Sequence, residues 1–175
     1  DGEERDDFPQ PAEITITQRL MDQLLLLEVT PEEKLLAEEI IGNIDEDGYL
    51  RRDLPLIVQD LNLAQGLSIT AERAEEVLRM IQRLDPPGIA SRTLQECLMV
   101  QLEIGETGGV LQEQALKILR EHFDDFTMKH YEELAKVLSL HIDQLKPVIE
   151  NFFASESLRT CRKCGAVMEP PPAAR

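Results

Sequence analysis

Apolar residues recur every three or four positions along most of this chain, and polar breaks divide them into a succession of helices. Over Thr17 to about Glu28, Leu20, Leu24 and Leu27 keep helical spacing with Met21 beside them. The run Leu24 to Leu27 makes this segment apolar nearly all round, which predicts either deep burial or a surface for a partner. Thr30-Pro31-Glu32-Glu33 then predicts a helix start: Thr30 caps, Pro31 takes the first helical position and Glu33 reaches back. The helix that follows presents Leu36, Ala37, Ile40, Ile41 and Ile44 on one stripe and ends before the acidic turn Asp45-Glu46-Asp47-Gly48.

Tyr49 and Leu50 leave that turn as a short extended piece, and a helix is predicted from Asp53 to Leu61 with Pro55 in its first turn. After a loop containing Gly66, Thr70 caps a helix over Ala71 to Leu84, with Ala74, Val77, Leu78 and Ile81 inward. Glu75, Arg79 and Arg83 fall four residues apart on its outer face. Asp85-Pro86-Pro87-Gly88 stops this helix, because a residue before proline avoids the helical region and glycine accepts positive φ. Ser91 is the next predicted cap, opening a helix to about Glu103 with Leu94, Leu98, Val100 and Leu102 mostly inward and Cys97 beside them.

Gly105-Glu106-Thr107-Gly108-Gly109 marks the expected internal boundary. Beyond it come a helix from Leu111 to about Phe123, a helix capped by Thr127 that carries Tyr131, Leu134, Ala135 and Leu138, and a third with Leu145, Val148, Ile149 and Phe152. Pro147 forces this last helix to begin late, near Asp143. The expected architecture is all-α: a disordered lead-in over 1–13, a helical bundle over 14–104, a short Gly-rich linker, a second and helix-turn-helix-like bundle over 110–153, and a disordered or foreign tail over 154–175.

Composition agrees with helices and narrows the partners. Leucine outnumbers valine 26 to 8 and aromatics are 4%, so the core is aliphatic and helical. With 34 acidic against 18 basic side chains the chain carries −16, which argues against autonomous, nonspecific nucleic-acid binding, since phosphate affinity comes from Lys and Arg. The longest apolar run, four leucines, falls far short of the about 20 residues a bilayer requires. The acidic first residues do not read as a signal peptide, so no membrane contact is expected and a cytoplasmic location is. The chain starts without Met and is expected to be a fragment.

Candidate chemistry is sparse. Asn43 to Gly48 matches the first half of a calcium loop, but Leu54 stands where the bidentate acid belongs and Arg51 and Arg52 bring positive charge, so the simpler reading is a helix-ending turn. Cys161-Arg162-Lys163-Cys164 is half a zinc ribbon with no second pair after it. His122, His130 and His141 lie at no ligand spacing, and no nucleophile elbow, phosphate loop or zinc-protease motif occurs. No metal, cofactor or catalytic activity is expected. Arg79 and Arg83 present a basic stripe that either meets an acidic partner or forms a surface ladder with Glu75.

Two long motifs carry more. Ile40 to Leu50 (IIGNIDEDGYL) and Ile81 to Leu98 (IQRLDPPGIASRTLQECL), in this order and spacing, closely resemble the core-binding domain of the bacterial sigma-54 (RpoN) factors. The resemblance covers about residues 14 to 150, with the second helical group fitting less sharply, and residues 156–175 depart from the family pattern. It implies a non-catalytic subunit that binds core RNA polymerase, with promoter DNA and an ATPase activator contacted only through regions expected to lie outside this chain. It also implies that Asp45, Asp47, Gly48, Tyr49, Asp85, Pro86, Pro87, Gly88 and Arg92 mainly determine the fold, and that Cys97 is structural. Leu24, Arg79 and Arg83 are candidate docking residues for polymerase. The alternatives are a helix-turn-helix DNA-binding regulator using residues 111–153, and a generic helical scaffold.

Overall fold

A computed structural model describes residues 14–105 and 108–154. The lead-in over 1–13 and the tail with Cys161 and Cys164 lie outside the described residues. Among the described residues there are nine helices and no strand, only two isolated bridges between loops. They form two separate cores. The first, from Leu20 to Ala90, is built by α1 (Ile16–Leu24), α2 (Pro31–Gly42), α3 (Leu54–Gln65) and α4 (Ala71–Gln82). The second, from Cys97 to Ile149, is built by α5 (Leu94–Ile104), α6 (Val110–Glu121), α7 (Phe123–Thr127), α8 (Tyr131–Val137) and α9 (Ile142–Ala154).

The caps explain most of the helix starts. Thr30 accepts from the Glu33 amide at 3.3 Å while Glu33 accepts from the Thr30 amide at 2.7 Å, which is the expected reciprocal box with Pro31 inside it. Thr70 caps α4 through the Arg73 amide at 3.3 Å. Helix α3 runs four residues past Leu61 and ends on Gly66 at φ +65°; the Asn62 side chain then holds the outgoing loop by exchanging two hydrogen bonds with the Ile69 backbone.

Several expectations are corrected. Helix α1 stops at Leu24 rather than near Glu28: the next amides bond three residues back, Leu26 to Gln23 and Leu27 to Leu24, tightening and ending the helix. Ser91 is not the cap of α5. Thr93 is, accepting from the Glu96 amide at 3.1 Å, while Ser91 is fully buried between the cores. Thr127 does not open a helix; it closes the five-residue α7, its hydroxyl donating to the Asp124 carbonyl, and α8 begins at Tyr131. Helix α9, by contrast, begins at Ile142, one residue from the expected start, with Pro147 inside it.

The largest difference is the boundary. Helix α5 packs on α6, and α6 on α9, with Cys97, Leu98 and Leu102 in the second core beside Ile118 and Leu119. Helices α5 and α6, on either side of the glycine segment at 105–109, therefore belong to one core. The division falls at residues 91–93, where a buried serine and a capping threonine replace the apolar stripe.

Candidate functional site

The two sequence motifs meet at that division. In the first, the Asp45 carboxylate organises the turn after α2. Its Oδ1 accepts from the Asp47 and Tyr49 amides at 2.9 and 2.8 Å, and its Oδ2 from Arg51 Nε at 2.8 Å. Burial raises the Asp45 carboxyl, but the Tyr49 amide, the Arg51 side chain and the Asp47 amide outweigh it and hold the group below its ordinary value. The guanidinium of Arg51 also lies over the Tyr49 ring, 4.8 Å from its centroid. The half-motif of a calcium loop is thus an arginine-closed turn, and among the described residues no group of three His, Cys, Asp or Glu side chains is placed to hold a metal.

In the second motif, Asp85 anchors the loop to α1. Its amide donates to Gln23 Oε1 at 2.8 Å, its carbonyl accepts from Gln23 Nε2 at 2.7 Å, and its carboxylate pairs with Arg19 at 2.8 Å. The Asp85–Pro86 peptide is cis. Gly88, at φ +82°, donates to the Gln82 carbonyl at 2.8 Å and lies so close to α5 that a Cβ would stand 2.7 Å from Cys97 Sγ. Cys97 is buried at that contact, its sulfur accepting from Gln101 Nε2.

The loops then bond to each other. The Ala90 amide donates to the Gly48 carbonyl at 2.9 Å and the Leu50 amide to the Ser91 carbonyl at 3.1 Å, with Tyr49 bridging Ser91 in parallel. Arg92 completes the junction: one guanidinium nitrogen donates to Glu75 of α4 and another to Glu96 of α5, each at 2.6 Å. These two carboxylates raise the guanidinium's already high pKa. Burial pushes Glu96 up, yet its bonds from the Arg92 side chain and amide bring it net below its usual value. Gly48, Tyr49, Gly88 and Arg92, some forty residues apart in the chain, are parts of one joint between the cores.

The family model described as sigma-54 factor, core binding domain, matches residues 9–154. The chain belongs to the sigma-54 core-binding domain family. It is 33% identical to the RNA polymerase sigma-54 factor of Acinetobacter guillouiae over 85% of this chain and 31% of that protein, and 31% identical to that of Bacillus subtilis over 80% and 30%. The sigma-54 factor of Escherichia coli is 32% identical over 76% of this chain and 28% of its own length. The matched region thus spans 22–31% of the length of curated relatives such as these.

For a sigma-54 core-binding domain the exposed surface matters as much as the joint. Leu24 is only 2% exposed and packs in the first core, so it cannot offer its side chain to a partner; Leu25 and Leu26, at 67% and 85%, are the members of the leucine run that face outward. Arg79 and Arg83 do lie together, on an open groove of about 470 Å³ lined also by Leu27, Glu76, Met80 and Leu84. The expected ladder with Glu75 is absent, because Glu75 is held by Arg92 and Arg83 faces Glu103 of α5 at 3.5 Å. Arg51 and Arg52 are occupied elsewhere, by Asp45 and Asp60, and do not extend this stripe. Sequence reasoning missed Gln23, whose lone amide in a leucine-rich run gave no sign of its long-range partner. Glu96 was accessible, standing four residues after Arg92 near a helix start.

Proposed function

We propose that this chain is the polymerase-docking module of a sigma-54 transcription initiation factor: it binds core RNA polymerase by surface complementarity, performs no catalysis, and serves to direct polymerase to its promoters. The observation that carries this reading is the family match across both cores. Contacts to promoter DNA and to an ATPase activator are assigned to other parts of such a factor. Docking is assigned mainly to the first core, α1–α4, where Leu25, Leu26, Arg79 and Arg83 are exposed. A cytoplasmic site of action follows from polymerase as partner; among the described residues no helix is long and apolar enough to cross a membrane.

The helix-turn-helix regulator is not favoured. Residues 111–153 hold five basic side chains against eight acids, and Arg120, Lys136 and Lys146 each already face a carboxylate within 4 Å. A phosphate backbone would have to compete with these pairs. The test is a pull-down of purified core polymerase on the immobilised chain, with a promoter duplex as the parallel ligand. Retention of polymerase and not of duplex supports the proposal; retention of duplex alone, with steep salt dependence, would replace it with the regulator.

A further inference from the structure

Among the described residues most arginines are committed to carboxylates. Among the described residues Arg19 pairs with Asp85, Arg51 with Asp45, Arg52 with Asp60, Arg73 with Glu33 and Glu76, and Arg92 with Glu75 and Glu96. Among the described residues Arg79 has no ion pair, and Arg83 has only Glu103 at 3.5 Å, a carboxylate it shares with Arg120. Glu76, the acid within the same groove, is taken by Arg73. A chain of net charge −16 therefore keeps a small island of available positive charge, and keeps it on an apolar floor of Leu27, Met80 and Leu84. Leu26, adjacent in the chain to the floor residue Leu27, is 85% exposed. Burying it would remove apolar surface from water, an advantage that only a partner can supply.

We infer that this groove receives an acidic amphipathic segment of core RNA polymerase, with aliphatic side chains on the Leu27, Met80 and Leu84 floor and carboxylates on Arg79 and Arg83. This rests on the functional reading above and names the surface and the chemistry of its partner. The spacing sets the partner's pattern. Arg79 and Arg83 are one helical turn apart, about 6 Å along α4, so a helical ligand presents its acids four residues apart and its apolar residues between them. A basic or purely apolar segment does not match, since it would leave two arginines facing like charge or losing water without a partner.

The experiment uses the full chain, fluorescently labelled, titrated with core polymerase. Arg79→Glu/Arg83→Glu is compared with Lys34→Glu/Lys117→Glu, which changes net charge equally at sites away from the groove, and with Arg79→Lys/Arg83→Lys. Reversal in the groove is expected to weaken binding roughly tenfold or more, while the control pair and the lysine pair stay within about threefold of wild type. Equal affinities for the groove and control reversals would overturn the groove while leaving the function intact. Failure of wild type to bind would overturn both. Should the reversed chain not fold by circular dichroism, a photo-crosslinking amino acid at position 26 decides the matter: an acidic, apolar polymerase peptide supports the groove, and a basic peptide or no crosslink to polymerase refutes it.

Discussion

Replacing Gly88 by alanine tests the joint between the cores. The residue has φ +82°, and an added methyl would lie 2.7 Å from Cys97 Sγ, 3.1 Å from the Cys97 carbonyl and 3.2 Å from Gln101 Nε2. Two costs follow. The left-handed conformation costs about 1–2 kcal/mol for a residue with a Cβ, and crowding a methyl against α5 costs a further about 1–3 kcal/mol. Gly66 provides the internal comparison, because it has φ +65° but nothing within 4 Å of the Cβ position. Gly66→Ala should pay the conformational cost alone. Urea unfolding followed by circular dichroism should therefore show a lower midpoint for Gly88→Ala than for Gly66→Ala, by about 1–3 kcal/mol after scaling by the slope. Adding Cys97→Ala should recover part of that difference, since it removes the sulfur the methyl meets. Equal losses at the two glycines, or no recovery with Cys97→Ala, would refute the close packing of the Gly88 loop on α5.

Three further outcomes follow from the same geometry. Asp45→Asn should destabilise the protein at neutral pH and progressively less so in acid: the Asp45 carboxyl is depressed by folding, so its stabilisation is complete above its ordinary value and is lost as pH falls below about 4, and thermal melts of both proteins should converge there. Arg92→Ala should cost about 1 kcal/mol rather than more, because 40% of the side chain is exposed, and Arg92→Lys should restore little of it, since one ammonium cannot reproduce the forked contact with Glu75 and Glu96; chemical denaturation measures both. Thr30→Ala should cost about 1 kcal/mol by the same assay through loss of the capping box on α2.

The parts of this fold that sequence reveals are those decided within one or two helical turns. Thr30 and Thr70 announce their helices because the capping hydroxyl and the amide that donates to it are three residues apart, and the stripes of α2 and α4 follow from spacing alone. The boundary between the cores is not legible in the glycine-rich segment, because glycine composition does not say which core the flanking helices join. That depends on Leu98 and Leu102 meeting Ile118 and Leu119, a contact no local pattern encodes. Ser91 looked like a cap because serine usually is one; here Thr93 takes that role and Ser91 pairs with the Tyr49 strand-like segment. The motifs themselves were visible as turn signals, Gly48 and Gly88 among them, but their union required structure, since the hydrogen bonds joining Gly48 to Ala90 and Leu50 to Ser91 cross about forty residues. Helical spacing alone does not say which leucines of the run face outward: α1 ends at Leu24, which is buried, and the chain turns Leu25 and Leu26 to solvent.

The central claim, that this chain docks on core RNA polymerase as a sigma-54 core-binding domain, is tested most directly by competition. Core polymerase is loaded with a labelled full-length sigma-54 factor and titrated with this chain at equilibrium. The account predicts complete displacement with one-to-one stoichiometry. Retention of the labelled factor at every concentration of the chain, while unlabelled full-length factor displaces it, would contradict the account.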